Sequence, residues 1–138
     1  MFYPLSFTEE DGDIVVRSRD FPELLTAGDN AEEARENAED ALDVVVLTYL
    51  EKGIDLPEPS EEQAGEVCIY VPATTAAKAL VIQAFKEAGI TKVELANRMG
   101  IAETEARRIL DPHYGTKLDK IDDAAKAMGR RIVVELAA

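Results

Sequence analysis

The chain has one cysteine in 138 residues, Cys68, which excludes an intrachain disulfide and a cysteine-rich zinc site. Cys68 lies in a strand-like run and reads as a small core residue. Histidine is equally scarce: His113 stands alone, and a lone histidine defines neither a metal site nor a catalytic pair. Apolar runs such as Val44 to Leu47 are far too short to span a bilayer, so no membrane partner is expected. The opening MFYPLSFTEEDGD carries acids early and no basic stretch, unlike a secretion signal, and a cytoplasmic protein is expected. There is no Gly-rich phosphate loop, no internal repeat and no low-complexity tract. No Ser, Thr or Cys has a base beside it in sequence, and none of the 28 carboxylates is singled out as a general acid. These absences argue against an enzyme and leave no cofactor and no metal to be expected.

Cations are the next scarcity, and it is local. Met1 to Val71 holds 19 Asp and Glu against 4 Lys and Arg, whereas Pro72 to Ala138 holds 9 against 11. The halves carry about −15 and +2 within a net charge of −13. A net charge of that sign opposes binding to nucleic acid, because phosphates are neutralised by Lys and Arg. The split removes that objection for one half: a near-neutral segment can approach DNA while an acidic one is repelled from it. With 46% hydrophobic and 31% charged residues the composition is that of a soluble globular chain, and Pro72 divides it into domains 1–71 and 72–138.

In the first domain Tyr3, Leu5 and Phe7 alternate with more polar or turn-tolerant residues, and Ile14 to Arg19 forms a second β-branched run after Asp11-Gly12-Asp13, which reads as a hairpin. Leu24 to Ala27 reads as a third strand ending at Gly28. Asn30 with Glu33 marks a helix start, Gly53 its end, and Ala34, Ala38, Ala41, Leu42, Val45 and Tyr49 its buried stripe. A Pro-rich connection from Leu56 to Glu62 leads to a strand over Glu66 to Val71 with Val67, Ile69 and Val71 on one face. The expected order is β-β-β-α-β, one antiparallel sheet on one helix. The second domain reads as all-α. A helix from Thr74 or Thr75 to Gly89 has Ala77, Leu80, Val81, Ala84, Phe85 and Ala88 at helical spacing, and another runs from Lys117 to Met128. A C-terminal strand over Arg131 to Leu136 has no partner inside a helical domain.

Between those helices, Thr91 to Gly129 carries a helix-turn-helix pattern. Ala96 is small where two helices cross, Gly100 falls in the turn, and Leu95, Met99, Ile101 and Ile109 point inward. Thr91 with Glu94, and Thr116 with Asp119, form two capping-box patterns. The second helix, Glu103 to Asp111, is the one that enters a major groove. Thr104, Arg107 and Arg108 are its outward candidates, Arg107 for a bidentate contact to guanine. Lys92, Lys117 and His113 are placed for phosphates, and Glu103 is tolerated at the groove only by accepting from a cytosine amino group.

Taken together, Tyr3-Pro4, Ile14 to Val16, Asp20-Phe21-Pro22-Glu23-Leu24 with Thr26 and Gly28-Asp29, and Glu32-Glu33-Ala34 resemble the HicB-type antitoxins of bacterial toxin-antitoxin pairs. Glu94-Leu95-Ala96, Arg98-Met99-Gly100, His113 with Thr116-Lys117, and Ala124 to Gly129 extend the likeness to members with a C-terminal helix-turn-helix. The resemblance implies an α+β chain whose first domain is a partial ribonuclease-H-like fold. It implies neutralisation of a HicA-type mRNA endonuclease toxin and repression of the shared operon at operator double-stranded DNA. No acid sits at the centre of the first strand, where Leu5 and Phe7 lie, so the scaffold reads as catalytically empty. The acidic domain complements a basic RNA-binding toxin, with Asp20, Phe21, Pro22, Glu23 and Leu24 as its contact loop, anchored by an exposed Phe or Leu. Arg131, Ile132, Val133, Val134, Glu135 and Leu136 are expected to pair with a second copy in a dimer, doubled to a tetramer through the first domains. The competing reading is a ligand-responsive helix-turn-helix regulator.

Overall fold

Asp11 and Gly12 both take positive φ, 51° and 87°, the two-residue turn whose twist matches that of paired strands. In the computed structural model, which describes residues 1–138, this turn joins β1 (Phe2–Glu10) to β2 (Asp13–Ser18) with Glu10 opposite Asp13. β3 (Leu25–Gly28) and β4 (Glu66–Tyr70) complete an all-antiparallel sheet in the order β3-β2-β1-β4. One helix, α1 (Ala31–Lys52), lies between β3 and β4 in sequence. Asn30 caps it by accepting from the Glu33 N–H at 2.9 Å, and Gly53 closes it at φ 69°. Gly28 permits the close approach of β3 to this helix, because a Cβ there would stand 2.3 Å from the Ala34 nitrogen.

The chain divides into two compact units, Met1–Ala73 and Thr74–Ala138. Tyr3, Leu5, Val16 and Ile69 from the sheet are buried together with Ala34, Ala38, Leu42 and Val46 of α1 in the first unit. Phe21 stacks edge-on against Tyr3 at 4.7 Å and Tyr49 at 5.1 Å between ring centres, an aromatic plug at the end of β2. The irregular connection after α1 is pinned at several points. Pro57 O accepts from the Tyr3 hydroxyl at 2.9 Å, the Asp20 carboxylate accepts from Ser60 N at 3.0 Å, and Arg19 donates to both Glu66 and Glu61 O. Cys68 departs from the core role expected of it. It is partly exposed, since β4 alternates and turns Ile69 to the core instead.

The second unit holds α2 (Ala73–Ala88), α3 (Lys92–Met99), α4 (Glu103–Ile109) and α5 (Leu118–Ala127). Its core is Val81, Ile109, Ile121 and Ala124, with Met99, Ile101, Met128 and Ile132 packed around it. Three expectations fail here. Leu80 is 41% exposed, whereas Lys78 is only 5% exposed, so the inward stripe of α2 is turned from the one read off apolar residues alone. Thr116 does not cap α5: Lys117 is its N-cap residue, without a side-chain bond, because the Thr116 hydroxyl accepts from Lys78 instead. Arg131, Ile132, Val133, Val134, Glu135 and Leu136 form no strand in the single chain, since a ladder needs a second edge and a helical unit offers none. Ile132 folds onto the core while Val133, Val134 and Leu136 stay exposed. No helix is long and apolar enough to cross a membrane.

Burial, with the Asp20 and Glu58 carboxylates adding to it, pushes the Tyr3 hydroxyl up to about 12. An unfolded tyrosine ionises near 10, so stability is intact below that pH and falls as pH rises toward 12. The expected loss between pH 10 and 12 is about 2–3 kcal/mol, absent in Tyr3→Phe, which has no proton to lose. Urea denaturation of both proteins across that range measures the difference.

Candidate functional site

The outward face of the second unit is built on α3 and α4. Thr91 caps α3 by accepting from Glu94 N at 3.1 Å, and Gly100 ends it with φ 67°. Gly100, Ile101 and Ala102 make the turn, with Ile101 N donating to Ala96 O at 3.0 Å. Leu95, Ala96, Ala106 and Ile109 are buried, which leaves Glu103, Thr104, Arg107 and Arg108 exposed on α4. Acids in the first turn and arginines in the last complement the helix dipole. Lys92 is half-buried in the first turn of α3, while His113 and Lys117 are exposed in the segment between α4 and α5.

Several of these side chains already have partners. Arg107 donates to Glu103 at 2.6 Å, and Lys120 of α5 reaches Glu105 at 3.4 Å, so both acids in the first turn of α4 are paired locally. The guanidinium of Arg108 lies 5.4 Å from the ring centre of Tyr114. The backbone N–H of His113 donates to Asp111 Oδ1 at 3.0 Å, which orders the loop after α4.

Lys78 is the residue that pattern reading missed. Its Nζ donates to Arg108 O at 2.9 Å, Ile109 O at 2.8 Å and Thr116 Oγ1 at 2.7 Å, satisfying all three ammonium donors. Burial pulls its pKa down, opposed by the Asp111 carboxylate. The ammonium sits at the carbonyl end of α4, where a helix dipole favours positive charge. The available signal was a lysine at i+3 from Thr75 and i−3 from Val81, on the stripe that those residues bury.

In the first unit the loop Asp20, Phe21, Pro22, Glu23, Leu24 does not expose an apolar anchor. Phe21 and Leu24 are core residues, because the chain turns tightly there with Leu24 N on Phe21 O at 2.9 Å and drives both side chains inward. Asp20 is engaged by Ser60, and only Pro22 and Glu23 face outward. Glu23 accepts from the Tyr49 hydroxyl, which raises the tyrosine pKa. The exposed apolar residues of that region are Leu25 and Val44 instead.

Residues 2–80 match the family model described as HicB-like antitoxin of bacterial toxin-antitoxin system. Antitoxin HicB 1 of Photorhabdus laumondii is 37% identical over 99% of this chain and 87% of its own length. Antitoxin HicB of Escherichia coli K12 is 38% identical over 96% of each, and Antitoxin HicB of Pseudomonas fluorescens 31% identical over 99% of this chain and 94% of its own. The chain belongs to the HicB-like antitoxin family. Members of this family are antitoxins and not enzymes. The family match spans the first unit and the start of α2, while the likeness to the individual antitoxins continues through α5.

Lys78→Met keeps the aliphatic stem and removes the donors, taking from the buried Ile109 O its lysine donor, while Arg108 O keeps Asp111 N and the Thr116 hydroxyl keeps Tyr114 O. It is expected to destabilise the second unit by about 1–3 kcal/mol, with Thr116→Val costing less. Chemical denaturation followed by circular dichroism checks the order.

Proposed function

We propose that this chain is the antitoxin of a cytoplasmic toxin-antitoxin pair: its first unit binds and silences a HicA-type mRNA endonuclease, and its second unit represses the shared operon at operator DNA. The observation that carries the reading is the coincidence of charge and fold. The unit that ends at Ala73 contains 19 acids and 4 cations, and the unit that follows contains 9 and 11. An acidic surface attracts a basic RNA-binding protein and rejects phosphate, whereas a near-neutral unit with two arginines exposed on α4 does not reject phosphate. The β-β-β-α-β order of the first unit supports a scaffold akin to ribonuclease H. Leu5, buried, and Phe7, half-buried, stand at the centre of its first strand with no acid between them, which suits binding and not metal-dependent cleavage.

For the second unit, α3 and α4 joined by a three-residue glycine turn support a helix-turn-helix whose α4 enters the major groove. The bridge from Arg107 to Glu103 does not bar a base contact. An exposed i,i+4 pair is worth about 0.3–0.5 kcal/mol, against about 1–3 kcal/mol for a bidentate arginine on guanine. Thr104 and Arg108 flank that contact, and Lys92, His113 and Lys117 meet phosphates. One such unit reads few base pairs, so two are needed, and the unpaired segment Arg131 to Leu136 supplies an edge for a symmetric dimer, with tetramers formed through the first units.

Coexpression with the HicA-type protein of the same operon tests the antitoxin role. The full chain is expected to restore growth and to copurify with the toxin; growth arrest despite soluble full-length chain refutes it.

Gel shifts on the operon's promoter test the repressor role. The Arg107→Ala/Arg108→Ala variant is expected to lose about 1–3 kcal/mol of specific binding, and Lys117→Ala to weaken all sequences alike and lower the salt slope by about one. Removal of residues 130–138 is expected to abolish the dimer by light scattering and most operator binding with it. Unchanged binding by the double variant refutes the assignment of α4.

A further inference from the structure

β3 is an edge strand, paired with β2 alone, and it borders an open groove of about 460 Å³ against α1. Asn37, Ala41, Val44 and Thr48 wall the helix side at spacings of four, three and four, a single stripe of α1. Leu25 and Val44 both line it and are 65% and 63% exposed, an apolar pair left to solvent at one groove. Both are placed by the backbone and neither belongs to the core. Thr48 donates its hydroxyl to Val44 O at 2.7 Å, so it offers no free donor to the groove.

The edge itself is partly occupied. Asn37 Nδ2 donates to Ala27 O at 2.8 Å, which blunts β3 at that end. Residues two apart in an antiparallel strand direct their N–H and C=O groups the same way, so Leu25 shares this outer edge with Ala27. Leu25 lies beyond the reach of the Asn37 bond and leaves one N–H and one C=O for an extended segment.

Charge identifies the occupant. Glu23, held by Tyr49, and Asp40 line the groove. Of the four cations in this unit, Arg17 is bound to Glu10 and Arg19 to Glu66, while Glu32, Glu33, Glu36 and Glu39 are exposed on the first turns of α1. A second copy of this unit would bring the same acids against these.

We propose that the groove between β3 and α1 is the docking site for an extended, lysine- or arginine-flanked segment of the cationic toxin, which adds to the Leu25 edge of β3 and rests apolar side chains on Leu25 and Val44. The proposal rests on the antitoxin reading and adds where and how the toxin is held. Glu23 and Asp40 steer the basic flanks, and the exposed apolar pair supplies the desolvated centre.

The test is calorimetric titration of the full chain with the HicA-type toxin of its operon, at low and high salt. Val44→Arg and Leu25→Arg are expected to weaken binding at least thirty-fold with unchanged thermal unfolding and unchanged operator binding, because neither side chain is in the core. Glu23→Gln/Asp40→Asn is expected to weaken it three- to ten-fold and to flatten its salt dependence. Val67→Arg, on the opposite edge strand β4, is expected to leave binding unchanged. Toxin binding unaffected by Val44→Arg and Leu25→Arg overturns the proposal while leaving the antitoxin reading intact. A loss of oligomer mass in those variants with toxin binding retained assigns the groove to a second copy and overturns it equally. Absence of toxin binding by the unaltered chain overturns the antitoxin reading and this one together.

Discussion

One buried ammonium group organises the second unit. Lys78 reaches from α2 to the last carbonyls of α4 and to the hydroxyl of Thr116, and so ties together α4, the loop behind it and the helix that precedes both. The unit is small and several of its core residues are alanines, so its apolar burial is modest. A fully satisfied polar tie at its centre gives α4 one position where a looser apolar contact would allow several. α4 spans only Glu103 to Ile109 and has no side-chain cap at its start, so little within the helix itself holds it in place.

The first unit solves the corresponding problem with rings and a pinned connection. Tyr3, Phe21 and Tyr49 interlock, and the same Tyr3 hydroxyl and the neighbouring Arg19 and Asp20 hold the irregular chain between α1 and β4. A loop that reads as an interaction surface is thereby consumed in holding the unit together. What it leaves at the surface is Glu23, beside a groove whose apolar residues come from β3 and α1. The two units thus divide the surface chemistry: carboxylates around an apolar groove in one, and arginines on a short helix in the other.

Much of this architecture is legible in the residues. The hairpin at Asp11-Gly12, the helix from Asn30 to Gly53, the Thr91 cap and the Gly100 turn are all readable, as is the order of strands and helices as far as α5. The candidates Glu103, Thr104, Arg107 and Arg108 are expected on the outward side of α4 and stand there. The departures share a cause, which is that a local pattern is silent about distant neighbours. A proline-interrupted loop suggests exposure of Phe21 and Leu24, an apolar side chain suggests burial of Leu80, and a carboxylate at the third following position suggests a cap at Thr116; in each case a contact from elsewhere in the fold decides otherwise.

Sequence by itself determined the caps at Asn30 and Thr91, the turns, the strand alternation and the charge division. Each depends on residues within about four positions of one another or on composition, and a hydrogen bond from Asn30 to Glu33 or a positive φ at Gly12 needs no distant partner. Tertiary structure alone decided the burial of Lys78, the diversion of Thr116, the inward turn of Phe21 and the exposure of Leu25 and Val44. These outcomes depend on partners far along the chain, such as Arg108 and Thr116 for Lys78, Tyr49 for Phe21 and α1 for β3. A buried charge costs several kcal/mol unless its acceptors are in place, and only the folded chain brings them together.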